Sequence, residues 1–106
     1  MMRKLVYCAT PKKKIELLDK IMLFVIERGL APLHPFLALP YKYFDDGYFQ
    51  KEETMSYCLR LIQICDEVFV FGYSDGVEEE VNFAKKIGKR VIYVNEMKEW
   101  KEFSDI

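Results

Sequence analysis

The residues best placed to do chemistry lie in Ser74-Asp75-Gly76-Val77-Glu78-Glu79-Glu80-Val81. At about 100° per residue, Val77, Val81, Ala84 and Ile87 share one side of a helix, with Phe83 at its edge. Glu80 projects into the middle of that apolar arc, whereas Glu78, Glu79, Asn82, Lys85 and Lys86 fall outside it. Carboxylates are rarely buried unless they are paired or put to use. The competing reading is a glutamate that complements the helix dipole and tilts into water. That serves Glu78 and Glu79 equally well, and it leaves the inward position of the third acid unaccounted for.

Other candidates gather near the same end of the molecule. Gly72 to Gly76 is a tight loop with two glycines, and Ser74 or Asp75 can cap the following helix. Thr10-Pro11 is a good cap and first-turn pair, followed by Lys12-Lys13-Lys14. Three cations in a first turn oppose the dipole, so they form either a solvated basic turn or a seat for phosphate beside backbone N–H groups. His34 is the single histidine. With no second ligand it is a poor metal residue, and its role is packing, a hydrogen bond or a ligand contact. Phe36 to Gln50 is a long segment carrying Tyr41, Tyr43, Phe44, Tyr48 and Phe49. Such a loop is a lid, a platform for a nucleobase, a cover for the core or a subunit contact. Asp45-Asp46-Gly47 is a turn signal within it, and either acid can face a substrate.

These residues need a scaffold, and the hydrophobic pattern supplies one. Lys4 to Ala9 reads as a first strand, and a helix is expected from Thr10-Pro11 to about Arg28, stopped by Gly29. Its stripe is Ile15, Leu18, Met22, Val25 and Ile26, widened by Leu17, Ile21 and Phe24. Leu30 to His34 is a short strand closed by Pro35. Lys51 to Cys65 is a helix with Met55, Cys58, Leu59, Ile62 and Cys65 toward the core. Tyr57, Leu61 and Ile64 extend apolar surface around its back, which implies a second contact surface. Val68 to Phe71 and Val91 to Val94 are strands flanking the helix that carries Glu80, a βαβ unit with a right-handed crossover. Met97, Trp100 and Phe103 recur at helical spacing in the tail, as a short docking helix would. The expected fold is a three-layer α/β/α domain with a four-stranded parallel sheet in order 2-1-3-4, flavodoxin- or Rossmann-like. Its switch point falls between the first and third strands, so Thr10 and the Gly72–Gly76 loop face one another across a crevice with Glu80 on its wall.

The totals bound the class. A chain of 106 residues suffices for one core and not two, so a single domain is expected. With 51% hydrophobic residues and a net charge of −1 it reads as a globular protein. That balance offers no electrostatic footprint for a nucleic acid polymer or an anionic membrane. No apolar run approaches the ~18 residues of a membrane span, and no signal-peptide layout is present. Three cysteines without C-x-x-C spacing suggest neither a disulfide framework nor a zinc site, and the expected compartment is the reducing cytoplasm. No metal and no cofactor is implied.

Val6-Tyr7-Cys8-Ala9-Thr10-Pro11, Cys65-Asp66-Glu67-Val68-Phe69-Val70-Phe71-Gly72 and the pattern S-x-G-x-x-x-E-x-x-x-A-x-x-x-G-K from Ser74 to Lys89 resemble the nucleoside 2-deoxyribosyltransferase-like superfamily. The likeness is to its small members and covers roughly residues 4–94. It implies cleavage or transfer of the N-glycosidic bond of a (deoxy)nucleoside or nucleotide, with Glu80 as nucleophile and Ser74 to Gly76 touching the sugar or phosphate. Asp75, or Asp45 or Asp46, would then assist departure of the base. Thr10 and Lys12 would hold a 5′-phosphate, and the aromatic segment around Tyr43 would hold the base, with Gly72 and His34 at the same edge. Active relatives carry an aspartate on the preceding helix where this chain has Cys58. The alternatives are a non-catalytic nucleotide-binding module, or an interaction protein with a vestigial site. A homodimer or higher homo-oligomer is expected in either case.

Overall fold

The strand-forming segments are runs of β-branched, aromatic and small residues, the pattern of strands covered on both faces. In the computed structural model, which describes residues 2–39, 43 and 47–105, four such strands form an all-parallel sheet. They are β1 (Leu5–Ala9), β2 (Ala31–Leu33), β3 (Glu67–Val70) and β4 (Arg90–Tyr93), in the order β2-β1-β3-β4. Pleating sends Val6 and Cys8 to one face of β1 and Tyr7 and Ala9 to the other. The first face is covered by α1 (Leu18–Ile26) and the C-terminal α5 (Lys98–Ser104). The second is covered by α3 (Lys51–Ile64) and α4 (Asp75–Lys86). The architecture is thus three-layer α/β, with the strand order reversing between β1 and β3 while all four strands run parallel.

The amino-terminal edge of the sheet is locked by Asp66. Its backbone N–H donates to Leu5 O at 2.8 Å, and its Oδ2 accepts the Leu5 N–H at 2.7 Å. Next to it, the buried Glu67 lies 3.5 Å from Arg90 and 3.9 Å from Lys4. Strands β3 and β4 each start one residue earlier than the apolar runs suggest, because this pairing draws Glu67 and Arg90 into the ladder.

The first helix departs from expectation. Residues Lys12–Leu17 form a 3₁₀ segment with non-helical dihedrals at Lys14, and only Leu18–Ile26 is α-helical before the chain turns at Gly29 (φ 77°). Lysines in a first turn have no favourable dipole to meet, and Lys14 instead extends its Nζ to Phe71 O at 3.1 Å. A 3₁₀ helix advances about 20° more per residue than an α-helix, so the stripe is rotated. Ile21, Phe24 and Val25 are the buried residues, while Ile15 and Ile26 are exposed. Thr10 does not cap this helix, for its hydroxyl is engaged elsewhere. The segment after β2 is also more ordered than a loop: α2 (Pro35–Ala38) is a single turn, capped by His34 Nδ1 accepting the Phe36 N–H at 3.2 Å.

At the carboxyl end of the chain, Trp100 packs edge-on against Phe24 and Phe71, with ring centroids 5.2 Å away in each case. This docks α5 as its spacing predicts. On the back of α3, Tyr57 and Ile64 are exposed, while Leu61 is partly buried against the core. Among the described residues no helix is long and apolar enough to cross a membrane.

Gly72 marks the tightest approach at the switch point. A Cβ there would stand 2.7 Å from Pro11 Cγ and 2.8 Å from Pro11 Cδ, atoms of a rigid ring. Gly72→Ala is therefore expected to cost about 1–3 kcal/mol through overpacking, read as a lowered midpoint in urea unfolding. An unchanged midpoint would show that Pro11 yields without strain.

Candidate functional site

Where β1 and β3 diverge, a groove of about 540 Å³ opens at the carboxyl ends of the strands. That is the position at which open α/β sheets bind ligands, and the volume is of small-molecule size. Each part of the scaffold supplies a piece of it. Thr10 follows β1, and Phe36 and Leu39 follow β2. Met55 and Cys58 come from α3; Ser74, Val77 and Glu80 come from the start of α4. Ser74 is also the N-cap of α4, its Oγ accepting the Val77 N–H at 3.1 Å. This cap sets the phase of the helix, and the phase turns Glu80 inward with Val77, Val81 and Ala84.

Glu80 is only 6% exposed. The partner shown for its carboxylate is the Tyr7 hydroxyl, which donates to Oε2. Burial pushes the acid up to about 7; the Tyr7 hydrogen bond opposes that rise and the charge of Glu79 adds to it. Burial and the facing carboxylate hold the Tyr7 phenol well above its ordinary value, so it remains a donor. Cys58, adjoining both, is raised to about 11 by burial and by Glu80, and stays a thiol. At neutral pH the site thus holds one carboxyl group with both proton forms accessible. As the anion it is a nucleophile or base, and as the acid a proton donor.

The groove brings together Thr10, Lys12, Ser74, Gly76 and Glu80. It does not include the other candidates in the same way. Asp75 is exposed and faces a separate groove between α3 and α4 with Lys51, Arg60 and Glu79. Gly72 is buried behind Pro11 and borders a third hollow near Tyr73 and Tyr93. His34 is buried one step behind the surface, its Nε2 3.0 Å from Thr10 Oγ1. Tyr43 is half-exposed and packs edge-on with Tyr48 rather than lining the groove, whereas Phe49 of that segment does line it. Asp46, like Tyr41, Phe44 and Asp45, lies outside the described residues. Among the described residues no cluster of three or more His, Cys, Asp or Glu is arranged to hold a metal ion.

Sequence reasoning overlooked Tyr7. A signal was available: a tyrosine at an inward position of a central strand needs a partner for its hydroxyl, and the one inward acid had no partner assigned.

A family model described as a domain of unknown function, DUF7768, matches residues 4–94, which run from the first strand through the last. The chain belongs to this family. No curated protein matches it. The match spans every element that builds the groove, and its description assigns no activity.

The raised Glu80 acidity has a thermodynamic counterpart. Between its ordinary 4.5 and about 7, the folded protein keeps a proton that the unfolded chain releases. Its contribution to stability is therefore present at low pH and lost as pH rises through about 7. The unfolding free energy of Glu80→Gln minus that of the native chain should increase from pH 5 to pH 8, by up to roughly 3 kcal/mol. A difference that is flat across this range would mean that Glu80 is already ionised at pH 5. Tyr7→Phe, which removes the opposing hydrogen bond, should move the Glu80 carboxyl titration upward when followed by carbon-13 NMR.

Proposed function

We propose that this protein cleaves or transfers the N-glycosidic bond of a (deoxy)nucleoside or nucleotide, with Glu80 as nucleophile. The observation that carries the reading is a buried carboxylate on the wall of a ligand-sized groove at the sheet's switch point, hydrogen-bonded by a tyrosine. The sequence resemblance maps its nucleophile onto that same residue. Tyr7 donates to Oε2, which leaves Oε1 as the attacking oxygen. In the ionised form, Oε1 attacks the anomeric carbon through an oxocarbenium-like transition state, and the C–N bond breaks with its electron pair leaving on the base. The departing base takes its proton from solvent water, and the water or second base that completes the reaction releases one in return. Water, or the nitrogen of a second base, then displaces Glu80 from the glycosyl ester and restores the carboxylate. Phe36 and Phe49 on the lining offer apolar rings for the base.

A second reading, a nucleotide-binding module without turnover, is favoured by one observation. Cys58 stands where the resemblance expects an aspartate, and among the described residues Glu80 is the only carboxylate on the lining. Under either reading the three free, buried thiols suit the reducing cytoplasm. The exposed Tyr57 and Ile64 support self-association through α3.

Incubation with deoxynucleosides, deoxynucleotides and NAD, followed by chromatography for free base, decides between the readings. Base release that drops by about a hundredfold or more in Glu80→Gln supports catalysis. Undiminished release in that variant removes the proposed nucleophile. A thermal shift with nucleotides but no release favours the binding module.

A further inference from the structure

Thr10 sits on the groove lining with a hydroxyl whose hydrogen bonds are already largely assigned. The assignment starts at His34. The Phe36 backbone N–H points at His34 Nδ1, so that nitrogen is bare and the ring proton is on Nε2. Nε2–H therefore donates to Thr10 Oγ1 at 3.0 Å. The Thr10 proton, in turn, goes to Cys8 O at 3.2 Å. This last bond answers a gap in the sheet. Ala31 N–H donates to Lys4 O, and β2 pairs Tyr7 with Leu33. Two residues further on, the donor position belongs to Pro35, which has no N–H. If Thr10 turned its proton into the groove, the Cys8 carbonyl would lose the donor that replaces the missing one. Burial supports the same proton placement: it holds His34 down to about 4, and the ring is neutral at physiological pH.

A hydroxyl has one proton and two lone pairs. In Thr10 the proton and one lone pair are taken, and one lone pair is left. We propose that Thr10, held by His34, offers the groove a hydrogen-bond acceptor only, and so selects a nucleoside with a free 5′-hydroxyl over its 5′-phosphate. This refines the nucleoside reading above and rests on it. The 5′-hydroxyl of a nucleoside donates to the remaining lone pair. A phosphate dianion carries acceptors alone, and it would set like against like at Thr10 and approach the Glu80 carboxylate. Lys12 and Lys51 on the same lining are exposed, so water and salt screen what they add for an anion. Thr10 is 6% exposed, and its preference is not diluted in that way. His34 is on this account a positioning residue that acts through Thr10. Thr10 determines specificity, and the phosphate-holding role that the resemblance implies for it is replaced.

Two measurements on the full chain test the inference. Nitrogen-15 NMR of the imidazole should show the neutral Nε2–H tautomer at pH 7. A proton on Nδ1, or an imidazolium, overturns the inference without reference to any ligand. Calorimetric titration with the four common deoxynucleosides and their 5′-monophosphates should show at least one nucleoside bound about tenfold or more tightly than its monophosphate. Thr10→Ser and His34→Gln, which keep the acceptor and a donor behind it, should preserve that ratio. Thr10→Val should abolish it; if that variant does not fold, the ratio in native protein and Thr10→Ser decides. Monophosphates that bind as tightly as nucleosides or more tightly overturn the selection and leave the N-glycosidic reading standing. Binding of neither class overturns both.

Discussion

The structure turns on one buried carboxylate and the phenol that holds it. Glu80 lies where water is almost excluded, and an ion there costs several kcal/mol unless it is hydrogen-bonded or protonated. Tyr7 supplies the hydrogen bond, and the rise of the acid to about 7 supplies the proton whenever the bond is insufficient. Both groups are fixed by rigid elements. Tyr7 is on a strand with neighbours on either side, and Glu80 is on a helix whose first turn is capped by Ser74. Moving β1 out of the centre of the sheet, or rotating α4 by one residue, would leave the carboxylate without its donor.

The same constraint shapes the groove. A parallel sheet with order β2-β1-β3-β4 sends the chain after β1 one way and the chain after β3 the other, and the space between is left to side chains from both. Two hydrogen-bond arrangements meet there. One is Tyr7 with Glu80, which is able to gain or lose a proton near neutrality. The other runs from the Phe36 N–H through His34 and Thr10 to the Cys8 carbonyl and is fixed in direction by a proline. A site of this kind joins a group whose charge can change to a group whose polarity cannot. Holding Glu80 in this position lowers stability above neutral pH, the compromise expected where a residue is kept for something other than packing.

Much of the scaffold was legible in the chain. Uninterrupted apolar runs marked strands covered on both faces, and alternation with helical periods implied a parallel sheet with this order, because right-handed crossovers leave few other arrangements. The inward position of Glu80 followed from the spacing of Val77, Val81 and Ala84. The docking of α5 followed from Met97, Trp100 and Phe103. The start of the first helix was not legible. Its residues satisfy a helical period, but Lys14 takes a partner just after β3, the Phe71 carbonyl, that is distant in sequence, and the 3₁₀ turn rotates the stripe that follows.

The sequence by itself determined the element types, the strand order and the one acid that does not belong among its neighbours, since these depend on local spacing and on the handedness of connections. Only the tertiary structure decided which candidates share a groove. Asp75 and Gly76 are adjacent in the chain and share the groove between α3 and α4, yet only Gly76 also reaches the lining of the switch-point groove. Tyr7 and Glu80 are 73 residues apart and become partners only when β1 is placed beside β3 under α4. Hydrogen-bond direction is likewise a property of the assembled fold: His34 and Thr10 acquire fixed donor and acceptor roles because Phe36, Pro35 and Cys8 surround them in space.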